Sequence, residues 1–128
     1  MTDDLTFDEP RLELVDDETH RLVEDWRVEF RGHAWTVRAG FETDGASIPW
    51  LLQLVCGSPN RKPRLFAALV HDAAYSGILG DMPRDLADDI YRDMQIALGI
   101  PAWRAWVEWC ALRVFGGPHW AGDPDLND

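Results

Sequence analysis

The sequence predicts an α+β domain, an N-terminal antiparallel β-meander of about three strands packed against a bundle of three main helices. Apolar residues recur with a period of two in the first part of the chain and with helical spacing in the remainder. The two kinds of run do not alternate, which argues against β-α-β units and a parallel sheet. With 128 residues, 46% of them hydrophobic and seven of them tryptophan, the chain is long enough for one core and too short for two. A single domain over 1–128 is expected, with an ordered core over about 11–120. Acids crowd both ends (Asp3, Asp4, Asp8 and Glu9; Asp123, Asp125 and Asp128), so frayed, solvated termini are expected.

The strands come first. Arg11 to Val15 alternates well enough for a short strand, with Leu12 and Leu14 on one side. From Leu22 to Phe30, residues Leu22, Trp26, Val28 and Phe30 fall on one face and Val23, Asp25, Arg27 and Glu29 on the other, with Glu24 breaking the inward row. Arg31-Gly32-His33 supplies a hairpin turn, after which Trp35, Val37, Ala39 and Phe41 resume the alternation. The run then enters Glu42-Thr43-Asp44-Gly45-Ala46-Ser47-Ile48-Pro49, a turn-rich loop. In it Asp44 and Ser47 offer side-chain oxygens, though Asp44 fits equally an Asx-turn that ties the loop down. Ser47 as N-cap with Pro49 in the first turn predicts a short helix over Trp50–Val55.

Three longer helices follow the basic Gly57–Pro63 loop. In the first, Phe66, Leu69, Val70 and Ala73 form the apolar stripe, while His71 points almost opposite it among Ala67, Ala68 and Ala74. His71 is then either open to solvent or set in a groove between helices. Ser76–Pro83 ends that helix, and Asp81 is expected to cap the next, with Pro83 in its first turn. There Leu86, Ile90, Met94 and Ala97 are the expected buried stripe, and Arg84, Asp88 and Arg92 form a polar row at four-residue spacing. That row is a ladder of exposed ion pairs unless it faces His71. A third helix is expected from about Ala102 to Phe115, with Trp103, Trp106, Val107, Cys110 and Val114 as its core face, and Trp120 anchors the tail.

Charge and composition exclude several functions. The net charge of −11 repels phosphate backbones and anionic headgroups, so no nucleic-acid partner is expected. No segment approaches the ~20 apolar residues of a membrane helix and no secretory leader is evident, so a soluble, cytoplasmic protein is expected, without integral membrane association. The two cysteines, Cys56 and Cys110, have neither zinc-ligand nor disulfide spacing and are expected to be buried free thiols.

One stretch carries chemistry. In Val70-His71-Asp72-Ala73-Ala74-Tyr75, His71 and Tyr75 share a helix face and Asp72 projects about 100° away. An imidazole beside a carboxylate, with a phenol one turn on, can supply a base, an ion ligand and an orienting hydrogen bond. The same residues also fit a solvated helix face.

Four motifs resemble the domain-of-unknown-function family 1353, which is found in tailed phages and prophages. They are Phe41-Glu42-Thr43-Asp44-Gly45-Ala46-Ser47-Ile48-Pro49; Ala68-Leu69-Val70-His71-Asp72 with Tyr75; Arg84 with Ala87-Asp88; and Leu112-Arg113-Val114-Phe115-Gly116. The resemblance covers roughly residues 14–120. It implies a phage or prophage setting, with phage or phage-like tail and virion proteins as partners and incorporation into a particle as a destination, but no activity. A local similarity to the His-Asp-x-Cys-Tyr helix of secreted calcium-dependent phospholipases implies roles. His71 would activate water, Asp72 with Asp44 would hold a divalent ion such as calcium, and Asp88 would orient His71. Ala74 replaces that family's disulfide cysteine, and its glycine-rich calcium loop is absent from this sequence.

These observations lead to one expectation and two competitors. The leading one is a hydrolase-like site with His71 as base, Asp88 as its orienter, Tyr75 and Arg84 completing the hydrogen bonding, Asp44 and Ser47 binding ligand, and Asp72 with Asp44 as ion ligands. The second is a non-enzymatic virion or tail-assembly component in which the same residues form a buried polar network. The third is an acidic effector that mimics nucleic acid. The leading reading requires the histidine face to meet the Arg84–Asp88 row and the Asp44 loop rather than water.

Overall fold

A computed structural model describes residues 4–17, 19–43 and 62–128. Within them the order is β1 (Thr6–Phe7), β2 (Leu12–Leu14), β3 (His20–Leu22), β4 (Trp26–Phe30), β5 (His33–Val37), β6 (Glu42–Thr43), then α1 (Lys62–Tyr75), α2 (Arg84–Ala97) and α3 (Ala102–Phe115). Strands precede helices and the fold is α+β. The expected Trp50–Val55 helix, its Ser47 cap and most of the Gly57–Pro63 loop lie outside the described residues.

The strands form two small antiparallel sheets, ordered β1-β4-β5 and β2-β3-β6, rather than one meander. The expected Leu22–Phe30 strand divides between them, and the division falls at Glu24, the residue that breaks its alternation. Asp25 explains the break: its carboxylate accepts the Ala39 amide at 2.8 Å and lies 3.3 Å from Arg38, which ties the corner together. The chain turns at Ala39-Gly40, so Phe41 does not extend β5; β6 pairs instead with β3, Thr43 opposite His20. Pairing begins as early as Thr6, opposite Glu29.

The β4–β5 hairpin is the most regular strand feature. Phe30 pairs with His33 across a two-residue loop in which Arg31 and Gly32 have φ of 50° and 81°. Two successive positive φ values give the turn hand that matches strand twist, and glycine adopts the second at no steric cost. Trp26, Val28, Phe30, Trp35 and Val37 all point inward, and their outward neighbours are exposed.

These side chains join α1 in one core with Leu65, Phe66, Leu69, Val70 and Ala73. α1 is buried around nearly its whole circumference, including Arg64, His71 and Ala74, so it is the central helix and not a one-faced amphipathic one. Alanine at 67, 68 and 74 allows this, because short side chains let neighbouring backbones approach. α2 packs along α1, and α3 along α2.

Several local expectations are corrected. Asp81 does not cap α2; Pro83 occupies the cap position, and Asp81 accepts the Trp35 indole N–H at 2.9 Å, tying the loop before α2 to β5. Ala97 at the end of α2 is exposed. The supposed core face of α3 is also exposed, with Trp103, Trp106, Val107 and Val114 outward and Ala105, Glu108, Ala111 and Leu112 inward. Spacing alone defines a stripe but not which side of a doubly apolar helix faces in. Cys110 lies on the outward side and is exposed, contrary to the buried thiol expected; Cys56 is outside the described residues.

Candidate functional site

His71 and Tyr75 stand one turn apart on α1, and α2 presents Arg84 and Asp88 one turn apart against them. The groove reading of His71 holds: its side chain is 3% exposed, and Asp88 is 0% exposed. His71 Nε2 lies 2.8 Å from Asp88 Oδ1, and the Tyr75 hydroxyl donates to the same oxygen at 2.7 Å. The other carboxylate oxygen, Oδ2, accepts from Arg113 of α3 at 2.8 Å and lies 3.6 Å from Arg84. Arg84 also donates to the Tyr75 oxygen at 3.4 Å and to the Leu112 carbonyl at 3.2 Å. One carboxylate thus gathers groups from all three helices. The row read from sequence as a potential surface ladder is an interior cluster, with Arg92 also buried beside Asp93 at 2.8 Å.

Hydrogen-bond roles select the tautomer of a neutral His71. An ionised carboxylate only accepts, so in the neutral imidazole Nε2 carries the proton and Nδ1 keeps a lone pair. Nδ1 is buried, and among the described residues no donor reaches it. The ring is held on both sides, with Tyr75 at a centroid distance of 4.1 Å and Tyr91 edge-on at 5.2 Å. A buried acceptor without a donor costs about 1–3 kcal/mol; Arg84 Nε in this cluster and Gln95 Oε1 on the same helix are likewise buried without a partner among the described residues.

Asp72, adjacent in sequence, faces elsewhere. It is half-buried, and its Oδ2 accepts from the Thr43 hydroxyl at 2.5 Å, joining α1 to β6. Asp44 and Ser47, the remaining residues expected at the site, lie outside the described residues, as does any meeting of His71 with that loop. Among the described residues no group of three potential ligands is arranged to hold a metal ion.

Two features of the site were not singled out from sequence. Arg113, noted there only within the Leu112–Gly116 motif, supplies the shorter cation contact to Asp88. Gly116 closes the same corner: a methyl group in place of its hydrogen would press on the Leu112 carbonyl oxygen and lie 2.6 Å from the Tyr75 hydroxyl. Gly116→Ala should therefore push the phenol off Asp88 and cost about 1–3 kcal/mol by overpacking, read as a lowered denaturant midpoint at unchanged slope.

A second buried cluster lies on the same helices. Arg64 of α1 and Glu108 of α3 form an ion pair at 2.9 Å, both essentially inaccessible. Glu108 also accepts from the Tyr91 hydroxyl at 2.8 Å and from Gln95 at 3.3 Å. The available signal was a lone acid in an otherwise acid-free helix, sharing a face with Ala105 and Leu112.

Tyr75 and Tyr91 are the chain's two tyrosines. Burial, reinforced by Asp88 for Tyr75 and by Glu108 for Tyr91, pushes both phenols well above their usual range. Because the folded values exceed the unfolded one, this contribution to stability is complete below about pH 10 and is lost as pH rises towards the folded values. Alkaline titration should show no tyrosinate absorbance in the folded protein. The signal should rise together with loss of near-ultraviolet circular dichroism; an ordinary phenol step in a still folded chain would contradict both placements.

The family described as "Protein of unknown function (DUF1353)" matches residues 20–112, a span that holds β3 to β6 and most of the three helices. The chain belongs to this family. DUF1353 thereby covers His71, Tyr75, Arg84 and Asp88, whereas Arg113 and Gly116 lie just beyond the matched span. Two uncharacterized proteins of Sinorhizobium fredii (strain NBRC 101917 / NGR234) are similar to it. One, y4jT, is 32% identical over 89 residues, 70% of this chain and 26% of its own length. The other, y4iH, is 30% identical over 111 residues, 85% of this chain and 45% of its own length. The chain thus spans less than half of either relative. No solved structure gives a significant match.

Proposed function

We propose that the His71–Asp88 pair is a general-base site for hydrolysis of an ester or amide. The observation that carries this reading is the buried Nδ1 lone pair, set on an imidazole whose other nitrogen is held by a fully desolvated carboxylate. Water bound at Nδ1 would give up a proton to it as its oxygen attacks the carbonyl carbon. The protonated imidazole, stabilised by Asp88, would then return that proton to the leaving oxygen or nitrogen. Tyr75 and the two arginines hold Asp88 aimed at His71, and act on the base only through it. This division of labour matches the phospholipase helix in His71, Tyr75 and Asp88, and departs from it in the absence of a disulfide framework.

Calcium is a separable element of the proposal, with Asp72 and Asp44 as its carboxylates. No step above depends on it. Calorimetric titration that gives no heat with calcium at millimolar concentration removes the ion and leaves the base in place.

His71→Gln tests the central reading. The variant is expected to stay folded while turnover of a panel of ester and amide substrates falls about 10²–10⁴-fold. Nitrogen NMR of the wild type should give the Nε2–H tautomer. A folded His71→Gln as active as wild type, or a proton resident on Nδ1, would overturn the proposal.

The burial of His71 favours one other reading, a purely structural clasp in a phage or prophage tail or virion component. That reading predicts no turnover by wild type on any substrate of the panel, together with loss of particle assembly on His71→Ala.

A further inference from the structure

The outward face of α3 is apolar along its whole length. Trp103, Trp106, Val107, Cys110 and Val114 fall within about 100° of one another around the helix axis. The four large ones are 59%, 46%, 37% and 70% exposed, with Phe115 at 57% beside them. The sole acid of α3, Glu108, points inward and is consumed by Arg64. A chain with net charge −11 therefore carries one helical face without a carboxylate. Side chains of these sizes and exposures present on the order of 500 Å² of apolar surface, at the upper end of what monomers show.

We infer that this chain forms a two-fold symmetric dimer by packing α3 antiparallel against α3 of a second copy. The area fits such a partner, because a stable interface buries about 800 Å² per copy, of which roughly 65% is apolar in homodimers. The order of sizes also fits. Within the stripe itself Trp103 and Trp106 lie in the N-terminal half and Cys110 and Val114 in the C-terminal half, with the ring of Phe115 at its C-terminal edge. Antiparallel pairing therefore seats large against small in both halves: Trp103 meets the second copy's Val114, and Val107 its Cys110. A two-fold contact presents the same patch twice, so a face without acids lets two such acidic chains meet without opposing carboxylates. Trp106 is pre-set for contact by the Arg92 guanidinium, 4.3 Å from its ring centre on the α2 side.

The geometry predicts a reporter. With the axis at the middle of the stripe, the two Cys110 residues are offset by about 4.5 Å along helices about 8–10 Å apart. Sedimentation equilibrium of the full chain should give a dimer. In a Cys56→Ser background, a short bismaleimide should link Cys110 to Cys110. Trp103→Glu and Val114→Glu, made singly at these exposed positions, should each leave the circular dichroism unchanged, weaken dimerisation at least 100-fold and abolish the cross-link. A wild type that is monomeric at all concentrations overturns the inference, as does a dimer that neither cross-links through Cys110 nor responds to either glutamate. Monomers that bind neutral phospholipid vesicles through Trp103, seen as a blue-shifted fluorescence lost in Trp103→Glu, would assign the face to a lipid surface instead.

Discussion

Asp88→Ala is expected to cost about 3–5 kcal/mol of folding stability, because it leaves the buried Arg84 and the half-buried Arg113 without their shared counter-charge. His71 Nε2 and the Tyr75 hydroxyl would lose their acceptor in the same step. For a domain of this size the melting temperature should fall by on the order of 10–20 °C. Asp88→Asn separates the structural from the chemical contribution. The amide keeps the shape but offers one acceptor and one donor group. Either its NH₂ faces Arg113, cation against donor, or it faces His71 and forces the imidazole proton onto Nδ1. In the second arrangement the proposed base loses its lone pair, and activity should fall about 10⁴-fold, the effect that loss of the orienting carboxylate has in serine hydrolase triads. Thermal melts of both variants, with histidine nitrogen shifts for Asp88→Asn, check these outcomes. An Asp88→Ala as stable as wild type would show that the carboxylate does not tie the helices together.

Glu108→Ala should be of similar severity, about 3–5 kcal/mol, by removing the carboxylate paired with the buried Arg64 guanidinium. Tyr91 and Gln95 would lose an acceptor as well. Glu108→Gln keeps a carbonyl for Tyr91 while removing the charge, so its loss should fall between wild type and alanine. Unlike the Asp88 variants, both should leave the His71 tautomer unchanged, since neither His71 nor Asp88 bonds to Glu108. Chemical denaturation with a parallel NMR readout distinguishes the two clusters. A Glu108 variant that moved the histidine signals would mean that the clusters act as one network.

Much of the outline was legible in the chain. Period-two runs in the first part and helical spacing afterwards define an α+β order, and the helix limits follow from Pro, Gly and the apolar stripes. The hairpin was legible from a glycine set between two period-two runs, whereas the positive φ of Arg31 had no signal in the sequence. Two local facts, a histidine facing away from its own stripe and a polar row one helix later, made the pairing of His71 with α2 one of two open readings, the other being an exposed face. The split of the Leu22–Phe30 run into two sheets was marked only by Glu24. Nothing in the alternation showed that Asp25 would bind the Ala39 amide and turn the chain there.

By itself, the sequence determined what each residue is next to along its own element, because helix and strand periods are fixed by the backbone. Thus Tyr75 must share a face with His71, and Arg84 with Asp88. Tertiary structure decided what depends on contact between elements: that Arg113 and Gly116 complete the Asp88 site from α3, and that Glu108 receives Arg64 from α1. It also decided that the tryptophans of α3 face out. A helix apolar on both sides carries no periodic signal for its buried side, and the polar partners waiting on α1 and α2, Arg64, Tyr91 and Gln95, select the face that holds Glu108.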